Sequence, residues 1–210
     1  MTTHAKVKIV TFLLVLVVST MAAPVRASAN SFFISDPSFA QPSNPGFDEY
    51  PNEQVRVLRE LSFGDHLAFP IVQQPRGNMI FVSPLQNYIT EYQAAATFGS
   101  IGLLAHNYLA GQYFFQVVHG QEITLTYSDL GSEKFIVTEI KQYQALTPES
   151  PSSDFIDLAT GERLTASQVF RRTYGDQEGR LILQTCISAN ENPSWGRIFI
   201  IAERADEFPG

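Results

Sequence analysis

Three side chains that could support covalent catalysis stand at boundaries between apolar and polar segments of the sequence. His106 and Cys186 each end an apolar run, and Arg197 precedes the apolar run 198–202. A cysteine thiolate is a nucleophile, an imidazole transfers protons near neutral pH, and a guanidinium favours a thiolate or donates hydrogen bonds to an oxyanion. Together the three groups could form and resolve a covalent acyl intermediate. Taken singly, each also fits a structural role: a buried small cysteine, a capped histidine or a solvated strand-end arginine.

The apolar runs beside these residues predict β-strands that would position them. Seven strands are predicted from runs rich in β-branched and aromatic residues: 67–72, 79–82, 101–105, 123–127, 134–143, 181–186 and 198–202. Because the last two would be neighbours joined by one loop, Cys186 and Arg197 are expected at the same rim. Many short strands with few helices predict an all-β barrel or sandwich.

Three short helices are expected, one before the strands and two between them. Their predicted N-caps are Asn52, Ser83 and Thr165, and their predicted ends lie near Leu61, Gly99 and Gly175. Thr165 and Gln168 have the spacing of a capping box, in which each side chain accepts a hydrogen bond from the other residue's backbone N–H.

The N-terminal segment has the three parts of an export signal. Lys6 and Lys8 precede an apolar stretch at 9–23, and small residues end the segment at 27–29. The stretch is shorter than the roughly 20 residues that a membrane-spanning helix needs. Residues 1–29 are therefore predicted to be a signal peptide, with an uncleaved N-terminal anchor as the alternative. The proline-containing segment 30–51 is predicted to be an extended spacer before a folded domain at 52–210.

Composition narrows the functional classes. Of 210 residues, 44% are hydrophobic and 12% aromatic, which predicts a folded domain. Loss of the three basic residues within 1–29 would change the net charge from −7 to −10, which argues against nucleic acid as a partner. No metal-ligand spacing is present, so no metal is expected, and no other cofactor is expected either. The absence of a G-x-S-x-G motif argues against a serine hydrolase. The single cysteine cannot form an intramolecular disulfide.

The order and spacing of the candidate residues resemble the sortase family over roughly 63–203. The sequence L-L-A-H at 103–106 resembles the family's strand-end histidine, and H-G-Q-E-I-T-L at 119–125 resembles the start of its G-D-x-I-x-V strand. The sequence L-Q-T-C at 183–186 matches three of the four fixed positions of T-L-x-T-C, and Arg197 follows at a family-like distance. Ile182 replaces the motif's first threonine, and Asn107 stands where many members have Arg or Asp.

This resemblance implies a closed β-barrel with a few short helices and a cysteine transpeptidase that is exported and acts outside the cell or at its surface. Cys186 would be the nucleophile, His106 the acid and base, and Arg197 the oxyanion support. Thr185, Asn107 and Trp195 would contact substrate. The implied partners are the sorting-signal peptide of a surface protein and an amine acceptor, such as a cell-wall or pilin lysine. Membrane contact would come only through an uncleaved N-terminal segment.

Two other interpretations stay open. A non-catalytic envelope protein could keep the barrel and bind a peptide or partner at the same groove. An L,D-transpeptidase is the other alternative, although that family has S-x-G-C-x-R near its nucleophile and this chain has Q-T-C-I-S at 184–188. The insert 147–179 lies where sortases build part of their substrate groove, so specificity does not transfer from the family.

Overall fold

The computed structural model describes residues 56–207, so the predicted leader and spacer lie outside the described residues. Ten strands are present in this part: β1 Leu58–Phe63, β2 Leu67–Gln73, β3 Ile89–Glu91, β4 Ile101–Leu104, β5 Glu122–Tyr127, β6 Ser132–Ala145, β7 Phe155–Asp157, β8 Arg163–Leu164, β9 Leu181–Ala189 and β10 Asn192–Arg204. The helices are α1 Gln93–Ala96, a 3₁₀ helix Ala110–Gln116, and α2 Ala166–Phe170, which continues as a π-helical turn Arg171–Gly175. Within 56–207, no helix has the length and hydropathy needed to cross a bilayer.

Eight of these strands close into a barrel. Their order is β10-β9-β4-β3-β2-β1-β5-β6, and β6 pairs back to β10. The pairs β2–β3 and β4–β9 are parallel, and the other pairs in the ring are antiparallel. Strands β7 and β8 extend the sheet beyond β6. The all-β fold and the closed barrel predicted from the sequence are thus confirmed.

Two hydrophobic cores lie on opposite faces of the barrel wall. Side chains such as Leu183 and Ile200 point into the barrel, where a first core fills the interior. Their neighbours Ile182 and Phe199 point outward and pack with α2 and its π turn in a second core. Because both faces of β9 and β10 are covered, their sequences are continuous apolar runs rather than alternating ones. The two faces also separate side chains that are adjacent in sequence, which decides where the candidate residues point.

The structure corrects several predicted elements. The expected helix near Leu58 and Leu61 is strand β1, because a register shift against β5 between Leu58 and Glu60 puts both leucines on the buried face. The expected helix 83–99 is mostly replaced by a loop, β3 and the four-residue α1. The predicted strand 79–82 is a turn and loop, with Ile80 88% exposed. The capping box of Thr165 and Gln168 is present and begins α2.

Candidate active site

Strand pairing places Cys186 and Arg197 directly opposite each other. They are partners in the antiparallel register of β9 and β10. Alternation along β9 puts Leu183 inside the barrel and sends Cys186 to the outer face, as it does Ile182. The thiol is free and half-buried. The sulfur is therefore neither oxidised to a disulfide within the described residues nor enclosed in the barrel interior.

The end of β4 brings His106 to the same face. Leu104 pairs with Gln184 in the parallel register of β4 and β9, and the Ala105 N–H continues the ladder by donating to the Gln184 carbonyl at 3.2 Å. His106 follows the last paired residue of β4 by two positions, so from the alternation of side chains we infer that it lies on the same outer face as Leu104, next to Cys186. We call His106, Cys186 and Arg197 the outer-face row.

Within residues 56–207, the Arg197 guanidinium is anchored through Nη1 alone. Its Nη1 donates to the carbonyl oxygens of Ser194 at 2.9 Å and Gly196 at 2.8 Å. No carboxylate within residues 56–207 forms an ion pair with Arg197. Guanidinium carries five N–H donors, so the Nη2 and Nε donors remain available while Nη1 holds the side chain. In the same part of the chain, no hydrogen bond joins the thiol, the imidazole and the guanidinium to one another.

The loop after β4 fixes the backbone of His106. The His106 carbonyl oxygen accepts hydrogen bonds from the N–H groups of Leu109 and Gly111, both at 3.0 Å. The ring of Tyr108, which is 68% exposed, stacks on the imidazole with centroids 5.2 Å apart and planes 22° apart. The stacked ring limits the directions in which the imidazole can turn.

Thr185 does not belong to the outer-face row. Its side chain is 2% exposed and points into the barrel, where Oγ1 donates to the Ala105 carbonyl at 2.8 Å. This hydrogen bond ties β9 to the residue before His106. The structure therefore places the Thr185 hydroxyl away from the surface that a substrate would contact, and gives it a role in supporting the His106 loop.

Asn107 and Trp195 lie beside the row. Asn107 Nδ2 donates to Ser188 Oγ at 2.7 Å and to the Pro193 carbonyl at 3.0 Å, so both N–H groups of its amide are engaged. Trp195 is half-buried in a stretch of β10 where the register against β9 shifts. No local sequence pattern predicts the contacts of Asn107 with Ser188 and Pro193, which lie 81 and 86 residues away along the chain.

A groove of about 340 Å³ begins at the Arg197 end of the row. Arg197 lines the groove, whereas Cys186 and His106 are not among its lining residues. The lining mixes aromatic, aliphatic and polar side chains, and part of the wall comes from the insert 147–179. Its five aromatic residues are Tyr92, Phe155, Phe170, Tyr174 and Phe199. Burial raises the pKa of the Tyr174 phenol, which stays neutral and donates to Gln184 Oε1 at 2.8 Å.

Comparisons with known proteins give matches among solved structures. No protein-family model matches the chain, and no curated protein matches it. The chain is similar to sortases. A lid mutant of sortase A from Corynebacterium diphtheriae is 17% identical, with 77% of each chain covered and a TM-score of 0.44. Sortase C from Clostridium perfringens SM101 is 14% identical, with 78% of each chain covered and a TM-score of 0.42. Sortase A from Listeria monocytogenes is 15% identical, covering 70% of this chain and 86% of its own, with a TM-score of 0.42.

Proposed function

We propose that the protein is a cysteine transpeptidase that cleaves a peptide at a carbonyl held beside Cys186 and transfers the acyl group to an amine. The outer-face row is the observation that supports this proposal: a half-buried thiol lies between a strand-end imidazole and a guanidinium with free donors. Cys186 is the nucleophile, His106 the acid and base, and Arg197 the oxyanion support.

The reaction proceeds by two acyl transfers. The Cys186 thiolate attacks the carbonyl carbon, and the electron pair of the C=O bond moves to oxygen. The oxyanion collapses and expels the amine, which takes a proton from the His106 imidazolium; a thioester and a free amine result. The neutral imidazole then accepts a proton from the acceptor amine as that nitrogen attacks the thioester, and the thiolate leaves. Arg197 donates to the oxyanion in both tetrahedral states.

The order of the row sets the direction of the substrate. The leaving amine must lie on the His106 side of the thiol, because His106 supplies its proton. The acyl part then lies on the Arg197 side, where the groove begins. The groove therefore holds residues that precede the scissile bond, and the acceptor amine approaches past Tyr108. In the proposed setting the protein is exported, the donor is the sorting-signal peptide of a surface protein, and the acceptor is a cell-wall or pilin amine.

Trapping of the thioester tests this function. Wild type, Cys186→Ala and His106→Ala proteins are incubated with a library of peptides of varied sequence, with and without an amine such as triglycine, and analysed by intact mass spectrometry. Wild type is expected to gain an acyl mass at Cys186 that the amine removes. Cys186→Ala gains none, and His106→Ala acylates far more slowly. Absence of an adduct with every peptide would contradict the proposal.

A peptide-binding protein without catalysis is the second candidate. The lack of any hydrogen bond among the three groups, within the described chain, favours it. A binding protein would retain peptides equally well after Cys186→Ala, and its thiol would react with iodoacetamide no faster than a free cysteine. The transpeptidase instead requires the thioester at Cys186, so the same library separates the two functions.

A further inference from the structure

The backbone segment 193–196, which we call the β10 bulge, contacts both ends of the outer-face row. Two carbonyls of the bulge, those of Ser194 and Gly196, accept from Arg197 Nη1. A third, that of Pro193, accepts from Asn107 Nδ2 at 3.0 Å and from Ser188 Oγ at 3.3 Å. One short stretch of chain therefore holds the guanidinium directly. Through Asn107 it also holds the loop 105–109 between β4 and the 3₁₀ helix, which we call the histidine loop.

The bulge is itself held firmly. The turn before it contains Asn190 and Glu191 with φ of 51° and 62°, the left-handed conformation that a two-residue hairpin turn requires. The register between β9 and β10 then shifts between Asn192 and Gly196. A Cβ at Gly196 would lie 2.5 Å from the Tyr143 carbonyl, so the backbone packs closely on β6 at that point. β-bulges of this kind redirect side chains near functional sites.

We propose that Asn107 is a positioning residue that holds the His106 imidazole beside the Cys186 thiol by fastening the histidine loop to the β10 bulge. This inference deepens the proposed function and rests on the roles given there to Cys186 and His106. Asparagine suits the task because its planar amide offers two N–H donors, and both are used, one on Ser188 Oγ and one on the Pro193 carbonyl. Since Asn107 is covalently next to His106, loss of these bonds frees the histidine loop.

Alkylation of Cys186 by iodoacetamide tests the proposal without a peptide. Rates are measured between pH 5 and pH 9 for wild type, His106→Ala and Asn107→Ala. The proposed role places a positive imidazolium beside the thiol, which would favour the reactive thiolate. Wild type is therefore expected to react about tenfold faster than His106→Ala near pH 6. The pH profile of the alkylation rate in Asn107→Ala is expected to shift towards that of His106→Ala. Asn107→Gln, which retains the donors, restores part of the difference, and Ser188→Ala gives an intermediate profile.

The matched control is Gln112→Ala, which removes an exposed amide from the 3₁₀ helix that follows the loop. The Gln112 side chain makes no hydrogen bond within the described residues. The profile of Gln112→Ala is expected to equal that of wild type. A fall in melting temperature of Asn107→Ala with an unchanged pH profile would assign Asn107 a structural role only and overturn the proposal. Ser188→Ala, which keeps the Asn107 amide, provides the same test if Asn107→Ala does not fold. If Asn107→Ala shifts the pH profile of alkylation as expected but no thioester forms in the trapping experiment, the transpeptidase function alone is rejected.

Discussion

Arg197 illustrates how one side chain can be both anchored and available. Its Nη1 donates to two carbonyls of the β10 bulge, while the donors on Nη2 and Nε remain free within the described residues. Anchoring limits the entropy that the long side chain loses when it binds an oxyanion. A lysine at this position would have a single nitrogen, which could not keep both carbonyl contacts and also reach the substrate with the same geometry.

Arg197→Ala is therefore expected to lower kcat/KM by about a hundredfold or more, the usual effect of removing one oxyanion donor. Arg197→Lys should recover little of this loss. Initial rates with the peptide found by trapping provide the measurement, and thermal unfolding checks that each variant is folded. Arg76→Ala, at an exposed turn outside the site, is the control and should retain full activity. Full activity in Arg197→Ala would remove Arg197 from the mechanism.

At the scale of elements, the sequence predicted that neighbouring strands carry Cys186 and Arg197, which their pairing confirms. Their expected position at strand ends was wrong, because β9 continues to Ala189 and β10 begins at Asn192, with a two-residue turn between them. For His106 the sequence predicted only that it follows a strand. Which residue of β9 lies beside it depends on the parallel register of β4 and β9, which the sequence does not reveal. The hydrogen bonds of Asn107 cross more than 80 residues and follow no local pattern.

The errors in the predicted elements have a local physical cause. Leu58 and Leu61 have the i, i+3 spacing of a helix. A β-bulge in β1 lets two residues with this spacing lie on the same buried face of a strand. Met79 and Ile80 form part of an apolar run that is exposed in a turn beside the groove rather than buried in a strand. An apolar run thus predicts a contact surface, but it does not indicate whether another segment of the chain or a ligand covers that surface.

The 3₁₀ helix Ala110–Gln116 supports the histidine loop by close backbone packing. A Cβ at Gly111 would lie 2.7 Å from the His106 carbonyl and 3.0 Å from the Ala105 carbonyl, neither of which can rotate away. Gly111→Ala is expected to lower the free energy of unfolding by about 1–3 kcal/mol, as overpacking commonly does, and to reduce activity by displacing His106. Urea unfolding and initial rates measure the two effects.

Gly175→Ala is the matched control for this substitution. There the nearest atom to the added methyl group is the Arg171 Cγ at 3.3 Å, on a flexible side chain that can move. Its free energy of unfolding should stay close to that of wild type. Equal losses in both glycine variants would show that packing against the histidine loop does not determine the effect.

At the scale of the whole molecule, the seam between β6 and β10 closes the barrel, and charged groups hold its far end. Glu133, at the start of β6, accepts hydrogen bonds from Tyr127 at 2.8 Å and Arg56 at 2.9 Å, and pairs with Arg204 at 2.9 Å. Arg204 is seven residues along β10 from Arg197, roughly 20 Å in an extended strand. A substitution at Glu133 can therefore weaken the contacts at this end of the seam without altering the residues of the outer-face row.

The Glu133 cluster predicts how stability depends on pH. Partial burial opposes ionisation of Glu133, but the hydrogen bonds from Tyr127 and Arg56 and the charge of Arg204 outweigh it and hold its pKa below the usual 4.5. A carboxyl whose pKa is lower in the folded state stabilises the fold above its unfolded pKa. This stabilisation is lost as pH falls through the folded value. Glu133→Gln should thus cost about 1 kcal/mol of unfolding free energy at pH 7.

The difference between Glu133→Gln and wild type is expected to shrink steadily as pH falls below about 4.5, because protonation then removes the same charge from the wild type. Urea unfolding at several pH values from 3 to 7 measures it, with Glu149→Gln, an exposed carboxyl without an ion pair in the described chain, as the control. A difference that stays constant across this range would show that the charge of Glu133 does not stabilise the seam. Since the cluster lies far from the outer-face row, the pH profile of Cys186 alkylation should be the same in Glu133→Gln and wild type wherever both are folded.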